Sequence, residues 1–255
     1  MAKPTCVHPF WATIVLPAAL FGCEENTLYD PEDVGPNQPP TASLSASPVE
    51  GIAPLEVSLR LSCSDPDRDS VQHLLNADGK AGYEISEWTT IAVNRSFAET
   101  TEVLGLCRDE KGAESNQVAE TVYVLNILTQ RATILALTNV ERQKVGAVAL
   151  VEDQKLTEFA QAHAKDMAER GYFSHTTPDG KTFSDRLREA GITNVYAGEN
   201  IALNYSPEGA VTAWINSSGH HQNMTNSRFR KMGIGVYSTE IKDRGHVYYV
   251  QVFTS

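Results

Sequence analysis

Apolar residues alternate with polar ones in several runs between residues 41 and 125, and from residue 127 onward they fall at helical spacing until two final alternating runs. In LEVSLRLSCS (55–64), Val57, Leu59, Leu61 and Cys63 share one face, and in TTEVLGLCRDEKG (100–112) Val103, Gly105 and Cys107 do the same. With AETVYVL (119–125) and the Asp, Gly, Asn and Pro residues between them, these runs predict strands over 41–125. ILTQRATILALTNVERQKVG then predicts a helix with apolar Ile127, Ile134, Leu137 and Val145 and charges between them, stopped by Gly146. A second helix, EDQKLTEFAQAHAKDMAERG, places Leu156, Phe159, Ala160, His163 and Met167 on one face and stops at Gly171. A short helix is predicted over 183–190. Another starts at the Ser206 cap with Pro207 and Glu208, and buries Val211, Trp214 and Ile215. It ends in Asn216–Gly219 and delivers His220 and His221 to a loop or a new helix start. MGIGVYSTE and HVYYVQVFT close the chain as a hairpin around Asp243-Arg244-Gly245. The pattern is an all-β segment followed by an α+β segment.

Charge divides the chain at the same place. The 255 residues carry a net charge of −11, which argues against a nucleic-acid binder. Residues 23–126 hold 6 basic and 19 acidic side chains, whereas residues 127–255 hold 14 and 13. Two units with different surfaces follow from this asymmetry.

Residues 1–22 carry Lys3, the apolar run FWATIVLPAALF and Gly22, the layout of a signal peptide. Leu20-Phe21-Gly22-Cys23 resembles the lipobox of bacterial lipoproteins, in which Cys23 would become the lipidated first residue; a plain secretory signal is the alternative. The polar, acidic, proline-bearing stretch that follows makes 23–40 an extended tether to a membrane. The expected location is therefore the cell envelope, lipid-anchored and extracytoplasmic, with secretion as the alternative. Cys6 leaves with the leader, so Cys63 and Cys107 remain as a disulfide pair in an exported protein, with a chain-entropy contribution of ~4 kcal/mol. Two buried thiols are the other reading. Asp65, Asp67 and Asp69 alternate in SDPDRD as calcium ligands would, but Pro66 and Arg68 interrupt them and a solvated turn explains them more simply.

NQPPTASLSASPVEGIAPLEVSLRLSCSDPDRDS, the strand ending in Cys107-Arg108-Asp109-Glu110-Lys111-Gly112, and AETVYVL together resemble a PKD-type immunoglobulin-like sandwich over 41–125. The usual Trp-Asp-Phe-Gly-Asp-Gly segment of that family is not recognisable in YEISEWTTIAVNRS. The resemblance implies a spacer or adhesion module.

TNVERQKVG, LTEFAQAHAKDMAERGYFSH, AGENIA, AWINSSGHHQNM, MGIGVY and YYVQVF are similar, in order and spacing, to the bacterial branch of the CAP superfamily (SCP/PR-1-like) over 127–255. The resemblance implies an α-β-α sandwich with a central cleft, lined in eukaryotic members by two His and two Glu that in some cases bind zinc. His175 matches the first histidine and Glu199 the acid of the Gly-Glu-Asn block. The second acid falls on Ser217 and the second histidine on Tyr248, while the bacterial Ser-Pro-Gly-His block corresponds to Ser217-Ser218-Gly219-His220. His175, Glu199 and His220 are thus the candidate catalytic or zinc-binding set, with His221 and Tyr248 as second choices. Read locally, Glu199 and Asn200 could instead serve backbone N–H groups, His220 could cap a helix, and His163 sits on an apolar face as a core histidine. Three functions fit: an envelope-anchored module binding a lipid, glycan, peptide or metal; a metal- or His/Glu-dependent hydrolase; and a structural or adhesion protein.

Overall fold

The computed structural model describes residues 35–79, 82, 84–87, 91–193, 195–204, 206–241 and 246–255. The leader, Cys23, most of the tether and the Asp243–Gly245 turn lie outside the described residues. Eight strands come first: β1 (Thr41–Ser47), β2 (Glu50–Ile52), β3 (Leu55–Ser64), β4 (Val71–Asn76), β5 (Glu84–Glu87), β6 (Ile91–Phe97), β7 (Thr101–Asp109) and β8 (Val118–Leu125). They form two sheets, ordered β1-β3-β6 and β2-β8-β7-β4-β5. The alternation predicted for β3 holds, since Val57, Leu59 and Leu61 are buried while Glu56, Ser58 and Arg60 are exposed. They pack with Val103 and Val122 of the other sheet. Gly105 leaves room for Leu61 there, since an added Cβ would stand 2.8 Å from Leu61 Cδ1 and push that side chain aside. Cys63 of β3 and Cys107 of β7 form the disulfide that joins the two sheets.

β8 runs into the second segment with a single residue between elements. Asn126 caps α1 (Ile127–Lys144) by accepting from Thr129 N and also donates to Ala98 O of the first segment. After α1 come β9 (Val151–Glu152), α2 (Gln154–Arg170), α3 (Phe183–Glu189), β10 (Ala197–Asn204), α4 (Pro207–Ile215), α5 (Ser218–Thr225), β11 (Lys231–Tyr237) and β12 (Val247–Thr254). The sheet order is β10-β12-β11-β9, antiparallel except for the short β9–β11 pairing.

Strand alternation gives this sheet two apolar faces. Met232, Ile234, Val236, Tyr249 and Phe253 pack toward α1, α4 and α5 with Ile134, Trp214 and Met224. Val250, Val252 and Ile201 pack on the other face with Leu156, Ala160 and Met167 of α2. On that face β11 presents Gly233 and Gly235, where an added Cβ would lie 2.1 Å from the Leu156 carbonyl carbon and 2.2 Å from Ala160 O. Backbone-to-backbone approach of α2 depends on those two glycines. Asp153 caps α2, Gly171 ends it at φ 67°, a Thr182–Asp185 capping box opens α3, and Ser206 caps α4. The Gly146 stop holds, with α1 ending at Lys144 and capped by an exposed Val145, and of the two settings open to His220 and His221 the start of a new helix is the one that forms.

Candidate functional site

Because β10 alternates, Glu199 points to the α2 face and Asn200 to the α5 face, and the two neighbours do different things. Glu199 is almost wholly enclosed, with its side chain 2% exposed. His175 Nδ1 lies 2.8 Å from Glu199 Oε1, and Arg186 Nη2 of α3 donates to both Glu199 oxygens at 2.9 Å. The same Nη2 donates to His175 O at 3.0 Å, so one guanidinium fixes both the acid and the histidine backbone. A carboxylate only accepts, so Nδ1 carries the proton of neutral His175 and Nε2 keeps its lone pair. The His175 ring is 47% exposed, which leaves Nε2 free to meet a ligand.

Asn200 positions the second histidine. Its Nδ2 donates to His220 O at 3.1 Å and to Gln251 Oε1 at 3.2 Å, and its Oδ1 accepts from Asn223 Nδ2 at 2.9 Å. Gln251 continues the chain to Thr138 Oγ1 at 2.8 Å, tying α1, β12, β10 and α5 together through buried amides. Arg142, fully buried in α1, holds the far end of α5 by donating to Met224 O, Asn226 O, Phe229 O and Val148 O at 2.7–3.1 Å. His220 thereby sits in the first turn of α5, close enough to His175 that both burial and the neighbouring imidazole push its pKa below the ordinary value.

The second choices go elsewhere. His221 turns to α1, with Nε2 3.6 Å from Glu141 Oε2, and Tyr248 packs with Tyr237 on the α2-side core. Ser217 is the N-cap residue of α5. His163 is buried, with Nε2 3.1 Å from Ser174 O, and burial lowers its pKa. Among the described residues Glu199 accepts from side chains and not from backbone N–H groups, whereas Asn200 does bind main chain, through the His220 carbonyl. Arg186 carried no signal in the sequence: it lies 11 residues past His175 on a short surface helix, and only the fold turns it inward.

Zinc fits this cluster poorly. Among the described residues His175, Glu199 and His220 do not bring three ligand atoms within 4.8 Å of one another, and both Glu199 oxygens already accept from a cation. The group that does gather is Asp65, Asp69 and Asp109. Asp67 is not in it, since its Oδ2 accepts from Gln38 N at 2.6 Å. Asp65 Oδ1 accepts from Asp67 N and Asp69 N, Asp109 Oδ1 accepts from Lys111 N and Ala113 N, and Lys111 Nζ stands 2.8 Å from Asp69 Oδ2. These carboxylates organise two loops beside the Lys111 ammonium group.

Residues 135–253 match the model of the CAP family, described as the cysteine-rich secretory protein family, and form a CAP domain. The chain is 43% identical over 109 residues to the uncharacterized membrane protein YlbC of Bacillus subtilis (strain 168), covering 42% of this chain and 32% of that protein. It is 41% identical over 103 residues to the uncharacterized protein YkwD of the same organism, covering 40% of each. The chain therefore spans about a third and two fifths of the curated relatives it matches. Among solved structures, an outer surface protein from Borrelia burgdorferi aligns at 21% identity with a TM-score of 0.47, covering 51% of this chain and 96% of that one.

Proposed function

We propose that this chain, with its CAP domain at residues 135–253, is an extracytoplasmic binding protein whose cleft at His175, Glu199 and His220 takes a polar group of a glycan, peptide or lipid. Lipidation at Cys23 would anchor it to the cell envelope, residues 23–40 would act as tether, and the β-sandwich of 41–125 as spacer. The observation that carries the reading is the Arg186–Glu199–His175 relay. A buried ion pair spends its geometry on aiming one half-exposed imidazole, and His220 is held beside it by a second buried network. Structural polar residues satisfy one another, whereas here the free His175 Nε2 is what the arrangement leaves presented.

The same feature favours one second reading. A carboxylate-oriented imidazole with an unprotonated Nε2 is the arrangement of a general base, so hydrolysis of a peptide or cell-wall polymer is the alternative, with His175 as base and Glu199 as its orienting group. Binding of a glycan array and a short-peptide panel, alongside peptide and peptidoglycan hydrolysis, should be measured for the wild type, His175→Ala and His220→Ala. Loss of binding in both variants without turnover in the wild type supports the binding protein. Turnover abolished by His175→Ala supports the hydrolase, and retention of every property by both variants refutes the site.

A further inference from the structure

A concavity of about 410 Å³ lies between α2, α3 and the Thr177–Lys181 loop, and none of His175, Glu199 or His220 lines it. Its basic side chains are all paired: Arg170 with Asp166 and Asp179 at 3.3 and 2.8 Å, and Lys181 with Glu189 at 2.8 Å. The charge of Arg186 is matched by Glu199. Hydrogen-bonding capacity does not cancel. Arg186, with its side chain 10% exposed, has Nε and Nη1 buried without an acceptor among the described residues. The rings of Phe159 and Phe183 lie 5.4 and 5.6 Å from its Cζ, near the ~6 Å outer limit of cation–π contact, and offer no lone pair. On the facing helix His163 Nε2 is turned to the Ser174 carbonyl, so it carries the proton, and Nδ1 is a buried acceptor that no described donor reaches.

The pocket wall thus combines guanidinium donors, an imidazole acceptor and, with Arg186 matched by Glu199, no unpaired positive charge, with Phe159, Ala162 and Ala190 supplying apolar surface. We propose that this pocket binds a secondary amide, its carbonyl oxygen accepting from Arg186 and its N–H donating to His163 Nδ1. A full anion would introduce a charge that the existing pairs leave unmatched, and a purely apolar ligand would leave donors and acceptor alike unpaired. Two sources carry this chemistry, an N-acetyl sugar and a peptide bond. A pocket of this volume is in the range that accommodates either at the scale of one sugar or a capped amino acid.

The full chain should be titrated with N-acetylglucosamine, with N-acetyl-alanine N-methylamide and, as the amide-free control, with glucose. The Arg186 Nε–H resonance and calorimetry are the readouts. At least one amide probe should bind and shift that resonance, and glucose should bind about tenfold more weakly or worse. Ala162→Phe, at an exposed position of α2 on the pocket wall, should weaken the amide probe by about tenfold or more, whereas His175→Ala should leave it unchanged. Which of the two amide probes binds assigns the source. Binding of neither probe, equal binding of glucose, or an Ala162→Phe variant that binds like the wild type overturns the proposal. Because His175→Ala is the control here, failure of the pocket and failure of the cleft are read separately.

Discussion

Removing the Glu199 carboxylate is the sharpest test of the relay. The side chain is 2% exposed and its Arg186 partner 10%, so Glu199→Ala leaves a guanidinium in the interior without a counter-charge. Stripping one member from a buried pair costs about 3–5 kcal/mol, most of it the stranded charge and not the lost attraction. Domains of this kind have about 5–15 kcal/mol in all, so the variant should fold but unfold at much lower urea. His175, half exposed, adds little to that loss because water replaces its partner. The double variant Glu199→Leu, Arg186→Met removes both charges, and should be more stable than the sum of the single variants predicts by about 2–3 kcal/mol. Urea unfolding followed by tryptophan fluorescence suits the measurement, since Trp214 is buried in the CAP core beside β10. A loss below about 1 kcal/mol in Glu199→Ala, or strictly additive single variants, would refute the buried pair as the organiser of the cleft.

Other outcomes follow from the same contacts. Replacing both Cys63 and Cys107 by Ala should cost about 4 kcal/mol, from a closed loop of sequence separation 44, seen as a lower urea midpoint for the sandwich. Arg142→Met would withdraw the guanidinium from four backbone carbonyls, of which Asn226 O and Phe229 O keep Phe229 N and Arg230 Nη1 as donors, and cost about 2 kcal/mol or more, with loosening of α5 visible as faster amide exchange over 218–225. Burial holds His73, His163 and His220 below the ordinary histidine value of 6.5 in the folded chain, so the unfolded chain binds protons first on acidification. Stability from these groups should be complete above pH 6.5 and decline as pH falls below it; melting temperatures that stay flat from pH 7.5 to 5 would contradict this. His73 is the strongest case, since both ring nitrogens are buried without a described partner, and His73→Phe should flatten the pH dependence.

Local pattern determined most of the architecture. Alternation in 55–64 and 100–112 was enough for the strands and for setting Cys63 and Cys107 each on the apolar face of its run, because successive side chains point to opposite faces. The cap at Ser206, with glycine stops at 146 and 171, placed helix ends within a few residues, since capping chemistry is satisfied within a single turn. His175 and Glu199 were identified as a pair only through family resemblance, and their contact spans 24 residues that no local rule connects.

What the tertiary structure alone decided is how those residues are used. Arg186 becomes the partner of Glu199 because α3 packs over the β10 face, and surface-helix arginines look alike in sequence whether they turn out or in. His220 and His221 are adjacent, yet a helix turn of about 100° sends one toward His175 and the other toward Glu141. Asp67 leaves the acidic cluster and Asp109, 40 residues beyond Asp69, enters it, because loop amides and Lys111, not sequence spacing, choose which carboxylates converge. Electrostatic partners are selected in three dimensions over a few ångströms, whereas sequence periodicity records only which side of a strand or helix faces the core.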